Sequence, residues 1–156
     1  VSGIACRKDQ SKLTLIRVED RPVVAAASFG RLADKNVNVD MIVQNTSEDG
    51  KATDITFTVS QNDYQRVRSI LEEQCNELGY YRLVTDENVV KISVIGVGMR
   101  SHAGVAQRMF KTLAAKGINI QVISTSEIKV SVLISEDYTE LALRALHTAY
   151  GLDEGE

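Results

Sequence analysis

The chain repeats itself once, and that repeat limits what it can fold into. Lys12-Leu13-Thr14-Leu15-Ile16-Arg17-Val18 is matched roughly 80 residues later by Lys91-Ile92-Ser93-Val94-Ile95-Gly96-Val97. Ala25, Phe29, Leu32, Ala33, Lys35, Val37, Asn38 and Val39 then fall opposite Ala106, Phe110, Leu113, Ala114, Lys116, Ile118, Asn119 and Ile120, and Asp63-Tyr64 is answered by Asp137-Tyr138. A chain of 156 residues therefore divides into two copies of one module of about 70–80 residues.

Within each copy the hydrophobic period alternates. Lys12–Val18 is apolar and β-rich, as a buried strand is. From Pro22, tolerated in a first helical turn, Ala25, Phe29, Leu32 and Ala33 form one helical stripe. Asn36 and Asn38 break it, and Val39–Val43 reads as a strand. After the turn signal Ser47-Glu48-Asp49-Gly50, Thr53–Ser60 alternates with Ile55, Phe57 and Val59 on one face. Val67, Ile70, Leu71, Cys75 and Leu78 predict a second helix stopped at Gly79, and Tyr81–Thr85 a last strand. The order β-α-β-β-α-β is the ferredoxin-like split βαβ, so the fold class is α+β.

The second copy offers Lys91–Val97, a helix near Ala103–Lys116, Ile120–Ser124, an alternating strand with Ile128, Val130, Val132 and Ile134, and a helix carrying Leu141, Ala145, Leu146 and Ala149. It reaches Asp153-Glu154-Gly155-Glu156 without a sixth element, whereas Val1–Arg7 is a spare strand before the first copy. An open sheet edge leaves backbone groups unpaired. Val1–Arg7 is therefore expected to complete the second sheet, with the first module (11–90) inserted into the second (1–10 plus 91–156).

Composition excludes several functions. With 44% hydrophobic and 25% charged residues the chain is neither disordered nor fibrous. Eighteen Lys and Arg against 21 Asp and Glu leave a net charge of −3, which gives no basic field for nucleic acid or anionic lipid. No apolar run approaches a membrane span. No signal peptide is visible, and because the chain opens on Val1 its absence carries no weight. Cys6 and Cys75 form no CxxC pair, so reduced thiols in a cytoplasmic protein and no metal site are expected.

Gly96-Val97-Gly98 begins a dinucleotide fingerprint, but Ser101 stands where its third glycine belongs. Neither histidine, His102 or His147, has a Cys or Ser placed as a nucleophile. Ser124-Thr125-Ser126-Glu127 has capping-box form, yet a strand follows it. RNA-binding versions of this fold need exposed strand aromatics, and Phe57 is on the core face. An acylphosphatase-like catalyst would need a phosphate-cradling arginine, for which Arg100 is only a loose candidate.

Ligand geometry is more informative. Glu19-Asp20-Arg21-Pro22 and Met99–Gly104 are short polar loops ahead of helix N-termini, where free N–H groups suit a carboxylate. The following strands open with Asn38-Val39-Asp40 and Asn119-Ile120-Gln121. Asp40 suits an ammonium, and the amides suit the remaining polar atoms. A carboxylate end facing an ammonium end is what a free amino acid requires. The alternative reading of Asn38 and Asn119 is that they merely end helices.

Val39–Asn45 (VDMIVQN), Thr53–Thr58 (TDITFT), Val97–Gly104 (VGMRSHAG), Gly117–Ile120 (GINI), Ile123–Lys129 (ISTSEIK) and Arg144–His147 (RALH) closely resemble the regulatory region of bacterial aspartate kinase, along essentially the whole chain. The resemblance implies tandem ACT domains, the first inserted into the second, that sense threonine or lysine and give feedback inhibition. It implies a homodimer through ACT domains and association with a kinase catalytic domain or α subunit. ATP would bind only in that absent domain, and no cofactor or catalytic residue belongs to this chain. By the same resemblance the effector contacts Asp20, Val23, Val24 and Ala25 in the first loop, and Asn38, Val39, Asp40 and Gln44 on the next strand. In the second module it contacts Asn119, Ile120, Ser126 and Glu127, with His102 and Ala106 beside the latter. The family's first loop usually reads Asp-x-Pro-Gly. Here Val23 replaces the glycine, and a β-branched side chain narrows such a pocket. An ACT pair serving only as a dimerisation platform, with no ligand of its own, is the alternative.

Overall fold

In the computed structural model, residues 3–19, 22–74, 79–96 and 102–152 are described. The elements are β1 (Gly3–Glu19), α1 (Pro22–Asp34), β2 (Val39–Thr46), β3 (Ala52–Ser60), α2 (Tyr64–Glu73), β4 (Arg82–Ile95), α3 (His102–Ala115), β5 (Val122–Thr125), β6 (Lys129–Ser135) and α4 (Thr139–Ala149). One compact unit is Asp9–Asn88. The other gathers the chain up to Lys8 with the chain from Val89 onward. The boundaries fall inside β1 and β4, so each of these strands serves both units.

In the first unit the strand order is β2-β3-β1-β4. Leu13, Leu15, Ile55, Phe57 and Val59 turn one sheet face toward Leu32, Val67 and Leu71 of the two helices, and the whole cluster is buried. Phe29 meets Phe57 edge to face, with ring centroids 5.5 Å apart. In the second unit the order is β1-β4-β6-β5. Val90, Ile92, Val94, Val130, Val132 and Ile134 pack there against Met109, Leu113, Ala142 and Leu146, joined by Ile4 and Cys6 of β1.

Both modules end their first helix by the same device. Val37 N–H bonds Leu32 C=O (2.9 Å) and Asn36 N–H bonds Ala33 C=O (2.9 Å). Ile118 N–H bonds Leu113 C=O and Gly117 N–H bonds Ala114 C=O, both at 3.0 Å. These are Schellman caps, with Asn36 (φ 59) and Gly117 (φ 71) in the left-handed position. Val37 and Ile118 are buried beside the leucines they bond.

The repeat also aligns differently from the sequence match. Ser60 Oγ accepts from Asn62 N–H and Ser135 Oγ accepts from Asp137 N–H, each capping a single 3₁₀ turn before α2 or α4. Serine to serine, Tyr64 then corresponds to Thr139, and the Asp63-Tyr64/Asp137-Tyr138 pairing is one residue out of step. Burial agrees, because Tyr64 and Thr139 are buried and Tyr138 is exposed.

Other expectations are corrected. Over the described residues, the strands read as Val1–Arg7 and Lys12–Val18 are the single strand Gly3–Glu19, and those read as Tyr81–Thr85 and Lys91–Val97 are merged in Arg82–Ile95. The polar residues between them fell outside the expected strands, but a ladder satisfies the backbone whatever the side chains are. Ser11 Oγ even donates to Glu87 C=O at 2.8 Å. Ile128 is not on the inward row of β6. It sits in the β5–β6 turn, 48% exposed, because Ser126 N–H bonds Lys129 C=O there. Leu141 is 38% exposed, and Ala142 and Leu146 carry the inward stripe of α4. Ala33 is exposed as well. Cys75, Leu78 and Val97 lie outside the described residues, while Gly79 has the expected positive φ of 63°.

A Cβ on Gly117 would meet nothing within 4 Å, so only backbone conformation resists substitution. Gly117→Ala should lower unfolding free energy by about 1 kcal/mol and Asn36→Gly should raise it by a few tenths, both read from urea denaturation.

Candidate functional site

The first helix of each module separates the expected site into two ends. At one end of the first module Val18 pairs with Thr53 and Glu19 with Ala52, so the end of β1 lies beside the β2–β3 turn. Thr46 also pairs with Thr53. At the other end Val39 and Ser11 both pair with Val59. The 13 residues of α1 span about 20 Å between these ends. Within one module, therefore, Val23–Ala25 and Asn38–Asp40 do not face each other. Val23, Val24 and Ala25 occupy the first two turns of α1, where their side chains are not described, and Asp20 lies outside the described residues.

The second module divides in the same way. Gly96 N–H bonds Ile128 C=O at 2.8 Å, which places the end of β4 beside the β5–β6 turn. Ser126 and Glu127 form the exposed tip of that turn. Asn119 and Ile120 precede β5, at its opposite end. Ile120 is half-buried against the core, as is Ala106 on α3, and Asn119 is exposed. His102 begins α3, and its side chain is not described. Because Asn36 and Gly117 cap the helices, Asn38 and Asn119 do not end them. Both amides stand exposed just beyond the caps.

Sequence reasoning missed the feature that positions Asp40. The β2–β3 register shifts between Val39↔Val59 and Ile42↔Phe57, so Asp40 and Met41 together oppose Thr58. That is a β-bulge in an edge strand, a device that re-aims side chains. Met41 N–H, drawn out of the ladder, donates to Thr58 Oγ1 at 3.0 Å in a buried setting. Asp40 is half-buried and Val39 packs against the first core. Gln44 is exposed toward the loop end, and its Nε2 donates to Thr53 Oγ1 at 3.3 Å. The one sequence signal for the bulge was the run Val39–Val43, whose inward and outward residues do not keep period two.

A second bulge lies near the end of β1, where the register shifts between Leu15 and Val18. Arg17 (φ 54) donates its N–H to Asp54 Oδ1 at 2.9 Å and sets its guanidinium 5.5 Å from the centre of the Tyr81 ring. Among the described residues no group of His, Cys, Asp and Glu is placed to hold a metal ion, and no helix is long and apolar enough to cross a membrane.

Two split βαβ modules repeat within one chain and define a tandem of ferredoxin-like domains. ACT domain models match residues 12–76 and 92–150. The chain belongs to the aspartokinase family, as an ACT-domain regulatory region. The aspartate kinase of Pseudomonas putida is 53% identical across 98% of this chain and 37% of its own length, so the chain spans little more than a third of such curated relatives. In a crystal structure of aspartokinase alpha and beta subunits, one chain is 50% identical with a TM-score of 0.88, covering 97% of this chain and 99% of that one. The ligand-free regulatory subunit of aspartate kinase from Thermus thermophilus is 36% identical with a TM-score of 0.87, covering 96% and 98%.

Replacing the acceptor in the bulge tests how Asp40 is held. Thr58→Val leaves the Met41 N–H buried without its partner and should cost about 1–3 kcal/mol in urea unfolding, with faster hydrogen exchange at the Met41 amide.

Proposed function

We propose that this chain senses an end-product amino acid, threonine or lysine or both, and sets the activity of an aspartate kinase domain carried upstream or on a separate subunit. That domain would perform the ATP-dependent phosphorylation of aspartate in the cytoplasm. We take 11–90 as one ACT domain and 1–10 plus 91–156 as the other. The separation of the two ends of α1 is the observation that carries the reading. A free amino acid is far shorter than the about 20 Å along that helix. It touches a helix N-terminus and an Asn38–Asp40 strand end together only if they come from different modules, and a twofold pairing of chains supplies that arrangement.

In the assembled site the N–H groups at Val23–Ala25 receive the effector carboxylate, and Asp20 is a further effector contact. Asp40 receives the ammonium, and Asn38, Gln44 and the Val39 backbone complete the first-module pocket. Asn119 and Ile120 from one copy, with Ser126 and Glu127 from the other, form its second-module counterpart beside His102 and Ala106. An effector shifts a conformational equilibrium only by its differential affinity for the two states. Contact with both walls exists only in the closed pairing, so binding favours that pairing and, through it, an inhibited kinase geometry. A coupling of about 1–3 kcal/mol is typical.

Asp40→Ala should weaken threonine or lysine binding at least about tenfold by calorimetry while the melting temperature without ligand holds. Val23→Gly should strengthen it. The shared site has its own test. Ala25→Arg and Asp40→Ala chains, each weakened in binding, should regain tight binding when dissociated and reassembled together, since a mixed dimer holds one intact site. Failure to regain it means the site lies within one chain.

A further inference from the structure

The sheet of the second unit has a second face, turned away from α3 and α4, and its chemistry is unlike the rest of the module. Val90, Ile92 and Val94 of β4 and Val130, Val132 and Ile134 of β6 point into the core. The alternate residues Lys91, Ser93 and Ile95 therefore share the other face, and the register sets Ser93 against Ser131 and Ile95 against Lys129. A cavity of about 200 Å³ opens there, lined by Arg7, Lys91, Ser93 and Lys129, with Cys6 and Ile95 at its walls.

Its floor is polar where a packed sheet would place apolar side chains. Ser93 is 3% exposed and Ser131 4% exposed, and their hydroxyls bond each other at 2.7 Å. Two hydroxyls sharing one hydrogen bond keep one further O–H donor, and no acceptor for it stands among the described residues. A buried polar hydrogen with no acceptor is expensive. Three cationic side chains line the cavity together with Ser93, and none of the described lining residues is acidic. Arg7 and Lys91 also engage other groups of the chain, so the cavity offers their combined field rather than a vacant cation. Burial raises the Cys6 thiol pKa against the opposing pull of Lys8, so the thiol adds no negative charge.

We propose that this cavity is a binding site for a small phosphate-class oxyanion, held by Arg7, Lys91 and Lys129 and hydrogen-bonded at its base by the Ser93–Ser131 hydroxyl pair. A dianion matches the surrounding charge, and several acceptor oxygens match an arginine fork, two ammonium groups and one hydroxyl. The volume admits an ion or the terminal phosphate of an ester and is too small to enclose a nucleotide.

The test titrates the full chain at constant ionic strength with inorganic phosphate, with glycerol phosphate and with acetate. Calorimetry reads affinity, and amide chemical shifts of Ser93, Ser131 and Lys129 read location. Saturable phosphate binding with shifts at those amides is expected, weakened about tenfold by Lys129→Met and by Ser93→Ala. Melting of each variant without ligand verifies its fold. Tighter binding of glycerol phosphate supports the site and assigns the phosphate to an ester; tighter inorganic phosphate supports it and assigns the free ion. No saturation, equal binding of acetate, or an unaltered affinity in Lys129→Met overturns the proposal.

Discussion

The rise of one helix governs how this chain can recognise anything at the ends of its first module. Thirteen residues at about 1.5 Å each hold the start of α1 and the start of β2 at opposite ends of the sheet. The separation is stiff because both helix ends are defined. Pro22 opens α1, and the buried pair Leu32–Val37 closes it through a backbone bond that cannot slide without exposing Val37. The second module repeats the closure with Leu113 and Ile118, so the constraint appears twice. Under the proposed reading a small zwitterion lies between modules, so that recognition and assembly are one event.

Where the strand would otherwise present side chains on a fixed alternation, the bulge at Asp40–Met41 breaks it. The backbone donor released from the ladder is taken up by Thr58, a residue whose hydroxyl would be out of place on a merely apolar strand. The second unit uses buried hydroxyls differently. Ser93 and Ser131 face each other across β4 and β6 and keep one donor beside the cationic cavity that Ser93 lines. Both cases follow one rule, that a buried polar atom needs a partner, supplied by the backbone in one and sought from a ligand in the other.

Much of the fold was legible because a duplicated sequence doubles every periodic signal. The stripe Phe29–Leu32 is echoed by Phe110–Leu113, and the inward row Ile55, Phe57, Val59 by Val130, Val132, Ile134. Local chemistry misled in two ways. Asp86-Glu87-Asn88 and Lys8-Asp9-Gln10 fell outside the expected strands, although they continue them, because polarity reports exposure and not backbone pairing. Asp63-Tyr64 and Asp137-Tyr138 matched as letters, but the serine caps at Ser60 and Ser135 set the true alignment one residue away. For the candidate site, residue types were readable and positions were not. Asn38, Asp40 and Asn119 suggested amino-acid recognition; Asn36 was legible as a helix breaker, whereas Gly117, a residue type that suits the left-handed cap position, was overlooked.

The sequence by itself determined the two modules, their element order and their membership of a regulatory family, because periodicity and similarity are properties of the order of residues. Tertiary structure decided which side chains share a space. The distance between loop and strand ends, the bulge beneath Asp40 and the meeting of Arg7, Lys91 and Lys129 over two serines all depend on strand register and helix length. These join residues far apart in the chain, and no local pattern encodes such a distance.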